Sequence, residues 1–144
     1  MVKDSYEEKR RDTIFNIALL SLERLNNLFE ECNQYSSMCY HNGTNPRFLQ
    51  LWKDKISAIY REISPKLGNK DKRRVKRLWK HLNSIGGVVY SKNTEEGKQT
   101  FVNLSNFNKK WAVLHKIEVV LRTIADRRGM LVPDKPDELT ATEL

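Results

Sequence analysis

Cysteine and long apolar runs are both scarce in this chain of 144 residues, and each shortage closes off a class of protein. Two cysteines, Cys32 and Cys39, cannot build a disulfide framework in a chain this long. No stretch approaches the roughly 20 apolar residues that a membrane span needs. The opening MVKDSYEEKRR carries acids where a secretory signal would have an apolar segment, so a cytoplasmic protein with no membrane partner is expected. Also missing are a glycine-rich phosphate loop and a Gly-x-Ser-x-Gly elbow. His41, His81 and His115 fall in three separate segments without a Cys or Ser partner, so neither an enzyme nor a cofactor is expected. Cys32, Cys39 and His41 do not make a zinc motif: six residues separate the cysteines, where Cys-x₂₋₄-Cys pairs are the rule. Buried thiols are the expected role.

The most informative shortage is of acids in one segment. From Lys66 to Leu82 there are eight cations (Lys66, Lys70, Lys72, Arg73, Arg74, Lys76, Arg77 and Lys80) against the single acid Asp71. The other residues carry 18 cations and 17 acids, so nearly all of the net charge of +8 is concentrated here. A surface for a polyanion has this electrostatic footprint.

Around that segment the pattern is mostly helical. Ser5-x-x-Glu8 reads as a capping box opening a first helix, in which Ile14, Ile17, Ala18, Leu25, Leu28, Phe29 and Cys32 recur at helical spacing. Phe15, Leu19, Leu20 and Leu22 widen its stripe until most of the circumference is apolar, which suits burial in the core or against a second copy. Residues 33–46, NQYSSMCYHNGTNP, read as a loop. Asn45-Pro46 caps a second helix with Leu49, Trp52, Ile56, Ile59 and Ile63 on one face, interrupted at Ser64-Pro65.

The third helix runs over 69–85 and ends at Gly86-Gly87. Val75, Leu78, Trp79, Leu82 and Ile85 fall within an arc of about 120° when each residue turns about 100°. The basic side chains occupy the remaining circumference. VVYSK and QTFVNL flank the turn residues NTEEG, a β-hairpin over 88–104. Ser105 or Asn106 opens a last helix with Trp111, Leu114, Ile117, Leu121, Ile124 and Ala125 on one stripe, closed at Gly129. Glu118 and Asp126 read as surface acids of that helix. The expected fold is mainly α with one β-hairpin: a single domain over residues 1–132, then an acidic, flexible tail over 133–144.

Val75-Lys76-Arg77-Leu78-Trp79, Leu82, Gly86, Val88-Val89, the tip Glu95-Glu96-Gly97-Lys98 and Val102-Asn103-Leu104-Ser105 resemble the recognition helix and wing of winged helix-turn-helix proteins of the MarR type. The resemblance covers residues 63–105. It implies a DNA-binding regulator that acts as a dimer, here through residues 8–32 and 106–128. Glu95 and Glu96 depart from the basic tip of a groove-entering wing, which leaves the helix to carry the contact. A helix fits the major groove, so Lys70, Lys72, Arg73, Arg74, Lys76, Arg77 and Lys80 are the expected nucleic-acid-binding residues, with Lys92 and Lys98 on the wing. DNA is the expected ligand and RNA the other possibility. The rival expectation is a small basic subunit of a particle or complex, using the same surface for docking. Trp52, Trp79 and Trp111 are expected in the core, with Trp79 the one placed to stack beside the basic face.

Overall fold

The computed structural model describes residues 2–131, with side chains from Leu20 onward. It consists of α1 (Val2–Met38), α2 (Pro46–Ile63), a 3₁₀ turn (Ser64–Lys66), α3 (Asn69–Ser84), strands β1 (Val89–Thr94) and β2 (Gly97–Val102), and α4 (Leu104–Arg127). The mostly α fold with one antiparallel hairpin is as expected. The tail over 133–144 lies outside the described residues.

α1 and α2 form an antiparallel pair. Arg24 Nε meets Glu62 Oε1 at 3.1 Å, Lys55 Nζ meets Glu31 Oε2 at 2.7 Å, and Tyr35 stacks on Phe48 at 6.1 Å. α1 begins at Val2, so Ser5 lies inside the helix rather than capping it; Val2-Lys3-Asp4 contains no breaker. At its other end α1 continues through residues 33–38, where the sequence reads as a loop. Ser36 and Ser37 turn their hydroxyls onto the Asn33 carbonyl inside the helix, and Tyr35 and the buried Cys39 have tertiary partners. The reversal is confined to residues 39–45, where Asn42 and Gly43 take left-handed φ of 56° and 104°. The Asn45 amide closes the turn on the Cys39 carbonyl at 2.8 Å.

α2 follows its sequence signals closely. Asn45 is extended and its side chain accepts from Arg47 N, Pro46 fills the first turn, and Leu49, Trp52, Ile56, Ile59 and Ile63 are all buried. α3 buries Val75 and Leu82 and half-buries Leu78, Trp79 and Ile85. Its stop differs from expectation. Ile85 leaves the helix in extended conformation, and neither Gly86 nor Gly87 is left-handed. Gly86 instead makes room: a Cβ there would sit 3.0 Å from Asn106 Nδ2, the group that donates to the Gly87 carbonyl at 2.9 Å. The hairpin turn is also tighter than NTEEG, with Thr94 paired to Gly97 and only Glu95-Glu96 between the strands.

α4 starts at Leu104, slightly earlier than its apolar stripe suggests, because Asn103 serves as the cap and accepts from Asn106 N. It runs antiparallel to α1: Tyr40 OH donates to Asn108 Oδ1 at 2.6 Å, and Arg122 donates to the Phe29 carbonyl at 3.4 Å. It is also antiparallel to α3, whose beginning meets the end of α4 through Asp71, Arg127 and Arg128. α1, α2 and α4 therefore share one core, with α3 and the hairpin held against α4.

Glu118 is not a surface acid. It is 6% exposed, accepts from Trp52 Nε1 at 2.9 Å and lies 3.6 Å from the Arg122 guanidinium. Arg122 in turn sits over the Phe29 ring at 4.7 Å and donates to Asn33 Oδ1. A fully buried indole N–H needs an acceptor, and an acid this deep needs donors; each answers the other. Burial, then the neighbouring Glu118 charge, pushes the Cys32 thiol up to about 12, and burial raises Cys39 to about 11. The thiolate is the reactive form, so both cysteines should resist a thiol reagent in the native protein at pH 8 and react stoichiometrically in denaturant. Replacing Glu118 with Leu should cost about 2–3 kcal/mol in urea unfolding, because it strands the Trp52 N–H and unpairs Arg122. Glu118→Gln keeps an acceptor and should cost about 1 kcal/mol. Equal losses for the two would contradict the hydrogen-bond assignment.

Candidate nucleic-acid interface

The sequence places one apolar stripe on α3, and burying that stripe presents the rest of the helix outward. Lys70, Arg73, Arg74, Lys76, Arg77 and Lys80 are exposed, while Lys72 is half-buried. With each residue turning about 100°, Arg73 and Lys80 lie nearest the middle of the outer face, with Lys76 and Lys72 on one flank and Arg77, Lys70 and Arg74 on the other. Among the described residues, none of these seven cations is in a salt bridge.

That condition has a structural cause. Asp71, the one acid of the helix, faces α4, where its Oδ2 meets Arg127 at 3.4 Å and Arg128 at 3.6 Å. Arg128 also donates to the Lys66 carbonyl at 2.7 Å. Arg127 and Arg128 therefore do more than complement the α4 dipole: they join the end of α4 to the start of α3 and draw the acid away from the cationic face. Gly129, at φ 65°, ends α4 there.

The two hairpin lysines are not brought together. Lys92 pairs with Gln99 and Asn93 with Lys98, so Lys92 and Lys98 occupy successive rungs and point to opposite faces of the hairpin. Lys92 lies over the Tyr90 ring at 5.5 Å, and Tyr90 stacks on Phe101 at 5.7 Å. β1 is exposed along its whole length. One face of the hairpin therefore offers an aromatic pair with a single lysine, and the other offers Lys98 alone.

Of the three tryptophans, Trp52 is fully buried and Trp111 is half-buried, donating to the Ser36 carbonyl at 3.2 Å. Trp79 is half-buried and lines a cleft of about 490 Å³ between α2 and α3, together with Tyr60, Arg61, Val75, Lys76 and Lys80. His41, His81 and His115 are exposed. Among the described residues no group of three metal-ligating side chains occurs, and no helix is long and apolar enough to cross a membrane.

A second group of cations has no signal in the sequence. Arg47 and Lys53 of α2 and Lys110 of α4 line a smaller cleft of about 350 Å³, walled by Leu82, Val88 and Leu114. They lie on two helices far apart in the chain, and only the packing of α2 on α4 makes them neighbours. Burial, and then the charge of Lys53, lowers the pKa of Lys110. Lys53 also stands 5.9 Å from the centre of the Trp79 ring, so this group adjoins the α3 flank.

Comparison with protein-family models, with curated proteins and with solved structures returns no match. The site stands on its geometry: a helix with one packed face, one uncompensated cationic face and its acid engaged elsewhere. Replacing Asp71 with Asn should release Arg127 and Arg128 and lower stability by about 0.5–1 kcal/mol in urea, the range of partly exposed ion pairs. An unchanged midpoint would show that Asp71 does not hold α3 to α4.

Proposed function

We propose that this protein binds nucleic acid, duplex DNA in the first instance, through the outward face of α3. The observation that carries this reading is the row of seven cations without an ion-pair partner among the described residues, on a helix whose only acid is turned toward α4. A helix that is merely solvated mixes signs and gains from i,i+4 pairs; this one forgoes them. Arg73 and Arg77, the two arginines nearest the middle of the face, are assigned to base edges, where an arginine can bond guanine in bidentate fashion. Lys70, Lys72, Arg74, Lys76 and Lys80 are assigned to phosphates, which position the helix without reading sequence.

The order α2, turn, α3, hairpin, α4 supports a winged helix-turn-helix reading, with a role in transcription regulation in the cytoplasm. In that reading the wing is secondary, because Glu95 and Glu96 form its tip and its two lysines diverge. Two copies would join through residues 8–32 and 106–128. Among the described residues, Leu20 of α1, 63% exposed, and Val119 of α4, 47% exposed, are the exposed large apolar residues of those segments that such a contact would cover. The second reading is a basic subunit of a larger assembly that docks on an acidic protein through the same face.

Fluorescence anisotropy against a random duplex of about 25 base pairs, across a salt series, separates the two. Neutralising about six phosphates gives a slope of log affinity against log salt near −5. Changing Arg73, Lys76, Arg77 and Lys80 together to Ala should lower affinity and reduce the slope by about four units. If neither protein binds at low salt while both remain folded, the cations are a solubility or protein-docking surface and the assembly reading replaces the regulator.

A further inference from the structure

Away from the α3 face, Arg47, Lys53 and Lys110 line one cleft bounded by α2, the base of the hairpin and α4. From this shared lining we infer that the cleft is a phosphate-binding site, holding a phosphate group between Arg47, Lys53 and Lys110.

Three features of the cleft support the assignment. First, like charges are gathered where the fold could have kept them apart. Lys53 and Lys110 are half-buried, and no acid lines the cleft; none of the three cations is in a salt bridge among the described residues. Asp54, the nearest acid along α2, accepts instead from Gln50 at 2.9 Å. Bringing two ammonium groups together costs free energy that a bound anion would recover; burial first, and then the Lys53 charge, lowers the pKa of Lys110. Second, the walls are apolar: Leu49, Leu82, Val88 and Leu114 lower the local dielectric and so strengthen the field of the neighbouring cations. Third, the donors suit phosphate better than carboxylate. Three cations mounted at separate points on two helices suit the tetrahedral spread of phosphate oxygens better than the single plane of a carboxylate. The planar fork of Arg47 can take two of those oxygens.

The phosphate could be that of a small phosphorylated compound or a phosphodiester of a nucleic-acid strand. Lys53 adjoins Trp79 and so brings the cleft next to the α3 flank. The site itself does not depend on the duplex-binding reading, and its test is built to separate the two.

The experiment compares the full chain with a Lys53→Gln, Lys110→Gln double variant, both checked for folding by far-UV circular dichroism. In the first arm, inorganic phosphate is titrated by calorimetry and in thermal melts. One-to-one binding at millimolar concentration that stabilises the native chain and is lost in the variant is the expected result. Without phosphate the variant should melt no lower than the native chain, because the substitutions relieve repulsion. In the second arm, duplex binding is measured across salt. If the variant also loses about one unit of salt slope or more, the phosphate is a phosphodiester of the strand; an unchanged slope assigns the site to a small phosphorylated ligand. If phosphate neither binds nor stabilises the native chain, and the variant leaves duplex binding unchanged, the inference is overturned. Should the native chain bind no duplex at all, the α3 reading fails and the phosphate arm alone decides this site.

Discussion

The buried carboxylate of Glu118 is the constraint on which the rest of the structure turns. It receives the Trp52 N–H from α2 and stands beside Arg122, which reaches Phe29 and Asn33 of α1. One polar cluster thus fixes the rotation of three helices about their axes, which apolar stripes alone leave loosely specified. A Leu can slide against another Leu at small cost, but an indole N–H moved away from its only acceptor loses a bond that nothing else in the core replaces. With α4 fixed in rotation, its two ends are fixed too. Asn106 holds the base of the hairpin through Gly87, and Arg127 and Arg128 hold the start of α3 through Asp71.

The second consequence is electrostatic. Because α4 draws in the single acid of α3, the cationic face is left with no internal counter-charge among the described residues. Folding therefore concentrates a charge excess that is already segregated along the chain. The same packing gathers Arg47, Lys53 and Lys110 at the other end of the α2–α4 contact. A net charge of +8 distributed evenly would favour solubility and little else; gathered on one helix face and one cleft, it favours anionic partners.

Much of this was legible in the sequence, for identifiable reasons. α2 could be read because Asn45-Pro46 is a start signal and its five core residues step by three or four. The hairpin could be read because β-branched and aromatic residues flank turn chemistry. Residues 33–38 could not, since Asn and Ser favour loops locally and it is contact with α2 and α4 that keeps the helix going. The stop of α3 was placed well but for a different reason: Gly86 is needed for the approach of Asn106, not for a left-handed cap. Glu118 was readable in principle. It stands four residues after Leu114 and three before Leu121, inside the buried stripe, with Arg122 one turn on and a buried Trp to be satisfied. The opposed directions of Lys92 and Lys98, by contrast, depend on a register that turn chemistry leaves open by one residue, and a one-residue slip exchanges the faces.

The central claim is that the outward face of α3 is where a polyanion lies. Lysine acetylation followed residue by residue by mass spectrometry, with and without a saturating DNA duplex at low salt, tests it most directly. Lys70, Lys72, Lys76 and Lys80 should be protected together, while Lys109 and Lys116 on α4 and Lys98 on the hairpin keep their reactivity. Uniform weak protection of all lysines, or protection confined to residues outside α3, would contradict the account.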